Sequence, residues 1–302
     1  MLMKLTYLIM AHKDFKILEL LVDLLNQNNI DIIIHIDSKS EIDLDRFIKK
    51  FESYNYVRFL EKRIAVNWGG FSLLEAQLML LFASRQIGLG DYVSFISGQD
   101  LPLKTTNEII KFLQKNRGKE FIEFFDIPNR KWSGNGGKDR YEFFWLVDQI
   151  GYNKSKQFVE IQKKENIYRK FPHQLKPYGG SNWMTISKEC AEYICEYIIN
   201  NPKIIDYFKY TVHPDEMLFQ TLILNSNFKD KVINDNLRYI DWNSSTASLP
   251  KILNKDDMRS LQKSTCHFAR KFDTKVDKEI IDELFHSLKL ASKPYKVDHD
   301  IN

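Results

Sequence analysis

Two clusters late in the chain have the residue types that acid–base and anion chemistry require. In Thr211-Val212-His213-Pro214-Asp215-Glu216, two carboxylates directly follow a proline. Proline suits a first helical turn, and acids there meet the positive end of the helix dipole. At about 100° per residue Asp215 and Glu216 point apart, so one is expected to cap while the other reaches a cavity. A carboxylate facing a cavity can act as general base toward a hydroxyl. The second cluster, His267-Phe268-Ala269-Arg270-Lys271, supplies fixed cations. On a strand Arg270 and Lys271 would face opposite ways; on a turn both would reach one anion, such as a departing diphosphate. Each cluster also has a plain reading, a helix cap for the acids and a solvated face for the bases.

Four more polar groups end apolar runs: Ala11-His12-Lys13, His35-Ile36-Asp37, Trp68-Gly69-Gly70-Phe71-Ser72 and Ser97-Gly98-Gln99-Asp100. Ligands of parallel α/β sheets collect beyond the carboxyl ends of strands. Asp37 there suits a ribose hydroxyl and Asp100 a sugar or ribose, while the helix start after Gly70 suits a phosphate or a uracil carbonyl. The structural alternative has Asp37 capping a helix and the glycine pair turning a corner.

The elements that must position these groups are legible in the hydrophobic pattern. Leu5 to Met10 is a continuous apolar run, and Phe15, Leu18, Leu21, Val22 and Leu25 follow with helical spacing. Ile30 to Ile36, Tyr56 to Leu60 and Asp91 to Ile96 read as further strands, so strands and helices alternate as in a largely parallel sheet. Ser72 with Glu75, and Thr105 with Glu108, read as capping boxes opening two helices. From Phe125 to Tyr178 the pattern loosens around one helix near Ser155 to Tyr168, marking an excursion or lid. Order resumes at Gly179, leading into helices from Ser187 and after Pro214, strands near Val232 and Leu237 to Trp242, and helices around Asp256 and Lys278. The chain is read as one domain, residues 1–302, in two lobes, about 1–124 and about 125–302.

Composition narrows the function. The 302 residues are 43% apolar with only 12 Gly and 8 Pro, which describes a globular chain. A net charge of +4 is too small for wholesale nucleic-acid or membrane binding, so any anion site is local. No run approaches the roughly 18 apolar residues of a membrane span. Cys190, Cys195 and Cys266 cannot all pair internally, which suits a reduced cytoplasm. Neither a G-x-x-x-x-G-K-[ST] nor a G-x-G-x-x-G after the first strand occurs, which disfavours P-loop and dinucleotide enzymes. Two Asp-x-Asp triplets, Asp43-Leu44-Asp45 and Asp298-His299-Asp300, do not follow strands as a diphosphate-bound metal would need. No histidine pair has zinc-ligand spacing.

Taken in order, these clusters resemble the core-2/I-branching enzyme family, glycosyltransferase family 14, which includes β1,6-N-acetylglucosaminyltransferases and peptide O-xylosyltransferases. The carriers are Tyr7 to Lys13, Ile34 to Asp37, Val66 to Ser72, Ser97 to Thr105, Gly179 to Trp183, Pro214-Asp215-Glu216, Asp235 to Arg238 and Phe268 to Asp273. The resemblance implies a GT-A-like α/β fold with a mostly parallel, Rossmann-like central sheet flanked by helices. It also implies a UDP-sugar donor, inversion at the anomeric carbon and turnover without a divalent metal or other cofactor. By position, Glu216 resembles the general base, and Lys271 with Arg270 the cations on the UDP diphosphate, with Lys251 a second phosphate ligand. Ala11, His12, Asp37, Trp68, Ser72 and Asp100 fall in segments resembling the donor pocket. Gly180, Ser181, Asn182, Trp183 and Asp215 fall on the sugar and acceptor side.

The implied reaction adds a sugar, GlcNAc ahead of xylose or galactose, to a hydroxyl of a glycan or lipid-linked saccharide in surface polysaccharide or glycoconjugate synthesis. A non-catalytic nucleotide- or glycan-binding module is the contrasting reading. Animal members carry an N-terminal anchor and several disulfides that this chain lacks, so a bacterial cytoplasmic version is expected. Basic residues and exposed aromatics would allow peripheral contact with the inner membrane face. No nucleic-acid partner is expected.

Overall fold

The computed structural model describes residues 2–130, 132–172, 174–242 and 250–292. The architecture is the expected α/β one. Among the described residues ten strands form a seven-stranded sheet and a three-stranded one, with helices on both faces of the larger. The chain enters through β1 (Leu5–Ala11), the helix Phe15–Leu25 and β2 (Ile30–Ile36). All seven residues of β1 and of β2 are buried, which is why both read as unbroken apolar runs rather than alternating ones. The remaining strands are β3 (Val57–Phe59), β4 (Tyr92–Ser97), β5 (Leu101–Pro102), β6 (Glu120–Asp126), β7 (Tyr178–Ser187), β8 (Val232–Ile233), β9 (Arg238–Ile240) and β10 (Phe268–Arg270).

The large sheet runs β3-β2-β1-β4-β7-β6-β8. Its first four strands are parallel, in register from Leu5↔Ile30 to Ala11↔Ile36 and from Leu5↔Tyr92 to Met10↔Ser97. All their carboxyl ends therefore lie at one edge. β7 then runs antiparallel to both β4 and β6, and β8 is parallel to β6. The small sheet, β5-β10-β9, brings the end of β10 beside the residues that follow β4. One core packs the helices Phe71–Ile87, Lys188–Asn200 and Leu218–Leu224 on one face of the large sheet; a second packs Phe15–Leu25 and Thr106–Lys115 on the other. A third joins the small sheet to the helix Lys278–Ala291.

The Thr105–Glu108 capping box is present in both directions. The box expected at Ser72 is not. Gly70 is the N-cap of Phe71–Ile87, and the Ser72 hydroxyl turns back to accept from the Asn67 amide at 2.8 Å. The helix expected near Ser155 to Tyr168 runs Tyr152–Lys164. Asp43 caps Leu44–Lys49, which accounts for the first Asp-x-Asp triplet; Asp298 to Asp300 lie outside the described residues. Cys190, Cys195 and Cys266 are free thiols. Among the described residues no helix is long and apolar enough to cross a membrane.

Two features fix the sheet around the site. A bulge in β7, where Ser181 to Trp183 stand opposite Glu123 alone, sets the glycines that start β7 against β6. A Cβ on Gly180 would stand 1.9 Å from the Glu123 carbonyl oxygen, and one on Gly179 would strike the Trp132 ring at 2.5 Å. His35, buried in β2, accepts the Ile64 amide through Nε2 at 2.8 Å and anchors the loop after β3. Burial lowers its pKa to about 4, and lowers that of His267, packed edge-on to Phe112, to about 3.

Gly180→Ala should therefore destabilise the fold by about 1–3 kcal/mol, read as a lower urea midpoint. Stability should also fall on acidification. His35 and His267 stay neutral when folded, while their unfolded forms gain a proton below about pH 6.5. Unfolding thus takes up protons, with a slope of up to about 1.4 kcal/mol per pH unit for each histidine until the folded values are reached. Urea melts at about pH 7 and about pH 5 should show the drop, and His35→Gln should reduce it.

Candidate active site

The cationic end of the site forms where β1, β4 and β10 finish. Gly98 lets the turn after β4 lie against Ala11, where a Cβ would come within 2.8 Å of the Ala11 Cβ. Gln99 and Phe272 exchange two hydrogen bonds, from Gln99 Nε2 to the Phe272 carbonyl at 2.9 Å and from the Phe272 amide to the Gln99 carbonyl at 3.0 Å. On the other side Asp14 accepts the amide and hydroxyl of Thr274, and Lys13 pairs with Asp273 at 2.8 Å. These ties draw His12, Lys13, Arg270 and Lys271 together. The Lys271 ammonium has no hydrogen bond or ion pair among the described residues, and its pKa is lowered by burial and by Lys13 and Arg270. Burial also lowers that of His12, with Lys13 and Lys271 adding to the effect. The result is a concentrated positive field that an anion would relieve.

Asp100 sets the direction of Arg270. It is fully buried, accepts the Ser97 amide on Oδ2 at 3.0 Å and takes Arg270 Nε on Oδ1 at 3.1 Å. Burial pushes its carboxyl upward and the Arg270 guanidinium opposes that. The guanidinium also lies over the Trp183 ring, 4.2 Å from its centre. Beneath them Arg238 is buried, donating to the Ser94 hydroxyl at 2.8 Å and the Phe95 carbonyl at 3.0 Å.

The acidic end is a 3₁₀ turn, Pro214–Glu216. His213 enters it with φ 49°, donates its amide to the Gly69 carbonyl at 2.9 Å and accepts the Glu216 amide at 3.1 Å. The two acids do part company. Asp215 is buried, and burial together with the neighbouring Glu216 charge pushes its carboxyl up to about 8, against a hydrogen bond from the Asn182 side chain. The Glu216 side chain is 31% exposed, with Oε2 held by Arg140 Nη1 at 2.6 Å. Arg140 in turn stacks 3.3 Å above Trp132, whose rings fill the space beside Gly179 and Gly137. Residues 181–183 of β7 join the two ends. Ser181 and Asn182 carbonyls accept from Gln220 at 2.6 Å and Gln77 at 3.4 Å, the Asn182 side chain meets Asp215, and Trp183 meets Arg270.

The other candidate residues sit around this axis. Asp37 accepts the Lys39 amide at 2.8 Å and the Val66 amide at 3.4 Å. The helix start after Gly70 is occupied from within: Asp148 accepts the Ser72 amide at 3.0 Å, the Ser72 hydroxyl at 2.6 Å and Asn67 Nδ2 at 3.0 Å. Trp68 is exposed and packs on His213 and Tyr152. Lys251 is engaged by Asp257 at 2.6 Å. Among the described residues no group of three or more His, Cys, Asp or Glu is placed to hold a metal. Arg140, Trp132 and Asp148 are site residues that the sequence reading passed over, since they lay in the unpatterned excursion. Lys13 was named with the Ala11-His12-Lys13 strand end but given no role there.

A mostly parallel α/β sheet with acids and cations assembled past its strand ends defines an enzyme-like class of fold and site. The chain belongs to the Core-2/I-branching enzyme family, glycosyltransferase family 14, whose family model matches residues 5–262. It is similar to Xylosyltransferase 2 of Homo sapiens, 26% identical over 274 residues, covering 84% of this chain and 30% of the human one. Xylosyltransferase of Ciona intestinalis is 24% identical over 271 residues, covering 83% and 30%, and Xylosyltransferase sqv-6 of Caenorhabditis briggsae 27% over 289, covering 88% and 34%. The chain thus spans about a third of the length of these relatives. Among solved structures, an active-site mutant of LgtC matches with a TM-score of 0.45 at 9% identity, covering 96% of this chain and 98% of that one. The galactosyltransferase LgtC with donor and acceptor sugar analogues matches at 0.40 and 11%, with the same coverage.

Because Asp100 is the buried counter-charge of Arg270, Asp100→Ala should cost about 3–5 kcal/mol in urea unfolding. Arg270→Ala in the same background should recover part of that loss, since no unpaired buried charge then remains.

Proposed function

We propose that the protein is an inverting glycosyltransferase that moves a sugar from a UDP-sugar to a glycan hydroxyl without a divalent metal. The supporting observation is β7, where Asn182 turns to the acids and the next residue, Trp183, turns to the cations. A donor spanning that strand would set its anomeric carbon between Glu216 and the Arg270–Lys271 group.

In this reading Glu216 is the general base. Arg140 fixes one of its oxygens and orients the other toward the acceptor. The acceptor hydroxyl gives its proton to Glu216 as its oxygen bonds to C1 of the donor sugar. The C1–O bond to the diphosphate breaks on the opposite face, and the configuration inverts. Negative charge grows on UDP as it leaves, and Lys271, Arg270 and Lys13 are preorganised to meet it. Asp37 borders the donor side. GlcNAc is the proposed donor sugar; the name shared by the relatives favours xylose as a second reading.

A panel of UDP-GlcNAc, UDP-xylose and UDP-galactose, assayed for donor hydrolysis and transfer, tests this. Turnover should persist in EDTA. Glu216→Gln should reduce transfer about 10²–10⁴-fold with UDP affinity kept, whereas Lys271→Ala should weaken UDP binding. Loss of turnover in EDTA with recovery on adding Mn²⁺ would refute the metal-free step.

A further inference from the structure

A cavity of about 480 Å³ is lined by Asn67 and Ser72 on either side of the Trp68 turn, without Glu216, and none of the chemistry above uses it. Its size is that of a small-molecule site. Its walls come from the loop before Phe71–Ile87, from the turn carrying Asp148 and Gln149, and from Lys209 and Tyr210. The charge there is the reverse of that at the Arg270 end. Glu75 and Asp148 contribute carboxylates, and the one ammonium in the lining, Lys209, already pairs with Asp206 at 2.7 Å. A phosphate would be repelled, so this is no place for the nucleotide.

The remaining lining suits a neutral, hydroxyl-rich ligand. The Gln149 amide and the Tyr210 hydroxyl have no hydrogen-bond partner among the described residues, and Phe71 offers a half-buried aromatic face. A chain of contacts also links the cavity wall to the base. Asn67 lines it; Trp68 comes next, 68% exposed, with its ring 4.5 Å from that of His213; and His213 accepts the Glu216 amide. Asp148 makes the wall rigid by clamping Asn67 and Ser72 with three hydrogen bonds.

We infer that this cavity is an acceptor subsite for a neutral saccharide chain. It would hold sugar units one or more residues away from the attacked hydroxyl, with Trp68 as the platform between. The inference rests on the proposed glycan acceptor, and the experiment separates the two. Ala65 is exposed and lines the cavity, so Ala65→Trp fills it from the solvent side. Neutral glycan primers of one to six sugars should show kcat/KM reduced at least about tenfold by the plug for the extended primers. Single-sugar primers and acceptor-free donor hydrolysis should stay within about twofold. An equal fall for all substrates, or no fall for any, would overturn the subsite. If the wild type turns over no UDP-sugar, the function reading fails instead, and binding to an array of neutral oligosaccharides decides the cavity alone. Binding lost in Ala65→Trp supports it; binding retained, or none in the wild type, overturns it.

Discussion

The contact on which the site depends is the pairing of the largely buried Arg270 with the fully buried Asp100. An isolated charge of either sign would be costly there. Together they are tolerable because Asp100 also accepts the Ser97 amide and Arg270 rests on the Trp183 indole. The pair therefore fixes three pieces of chain that are distant in sequence: the turn after β4, the end of β10 and the middle of β7. Lys271, adjacent to Arg270, inherits its place from that fixation and keeps its own charge uncommitted. Among the described residues Lys271 is a cation with no partner beside one fully partnered, an arrangement that both holds its shape and leaves charge to offer a ligand.

The acidic side is built by a longer chain of dependence. Glycines at 179 and 180 let β6 and the Trp132 ring approach β7 closely; Trp132 supports the Arg140 guanidinium; Arg140 holds Glu216. Each step fits only because the previous one leaves no spare volume. The excursion between β6 and β7 is thus part of the site and no mere insertion, since it delivers the groups that orient one carboxylate. Asp148 serves the opposite boundary in the same way, closing a helix start that would otherwise expose its first amides.

What was legible in the sequence follows from this physics. β1 and β2 were plain because strands buried on both faces must be apolar throughout, and the Thr105 helix start was plain because its cap is local. The cap assigned to Ser72 failed because a distant carboxylate, Asp148, outcompeted Glu75 for the same serine. β6 and β10 escaped notice, one broken by the charges of Glu120, Glu123 and Asp126 and the other only three residues long. Glu216, Arg270 and Trp183 were marked out by a resemblance carried on short motifs. Arg140 and Trp132 sit in a stretch without period, and only the folded chain shows them beside the acids.

The bulge in β7 has one more implication. Asn182 and Trp183 stand in the stretch where three residues of β7 face Glu123 alone, and there one side chain meets Asp215 while the next meets Arg270. Regular pleating would tie each residue of this stretch to a partner on β6; the extra residues release it from that ladder. Loss of one of them would pull the neighbouring side chains out of step with both the acid and the cation, so the length of this stretch is a constraint that the loops on either flank do not share.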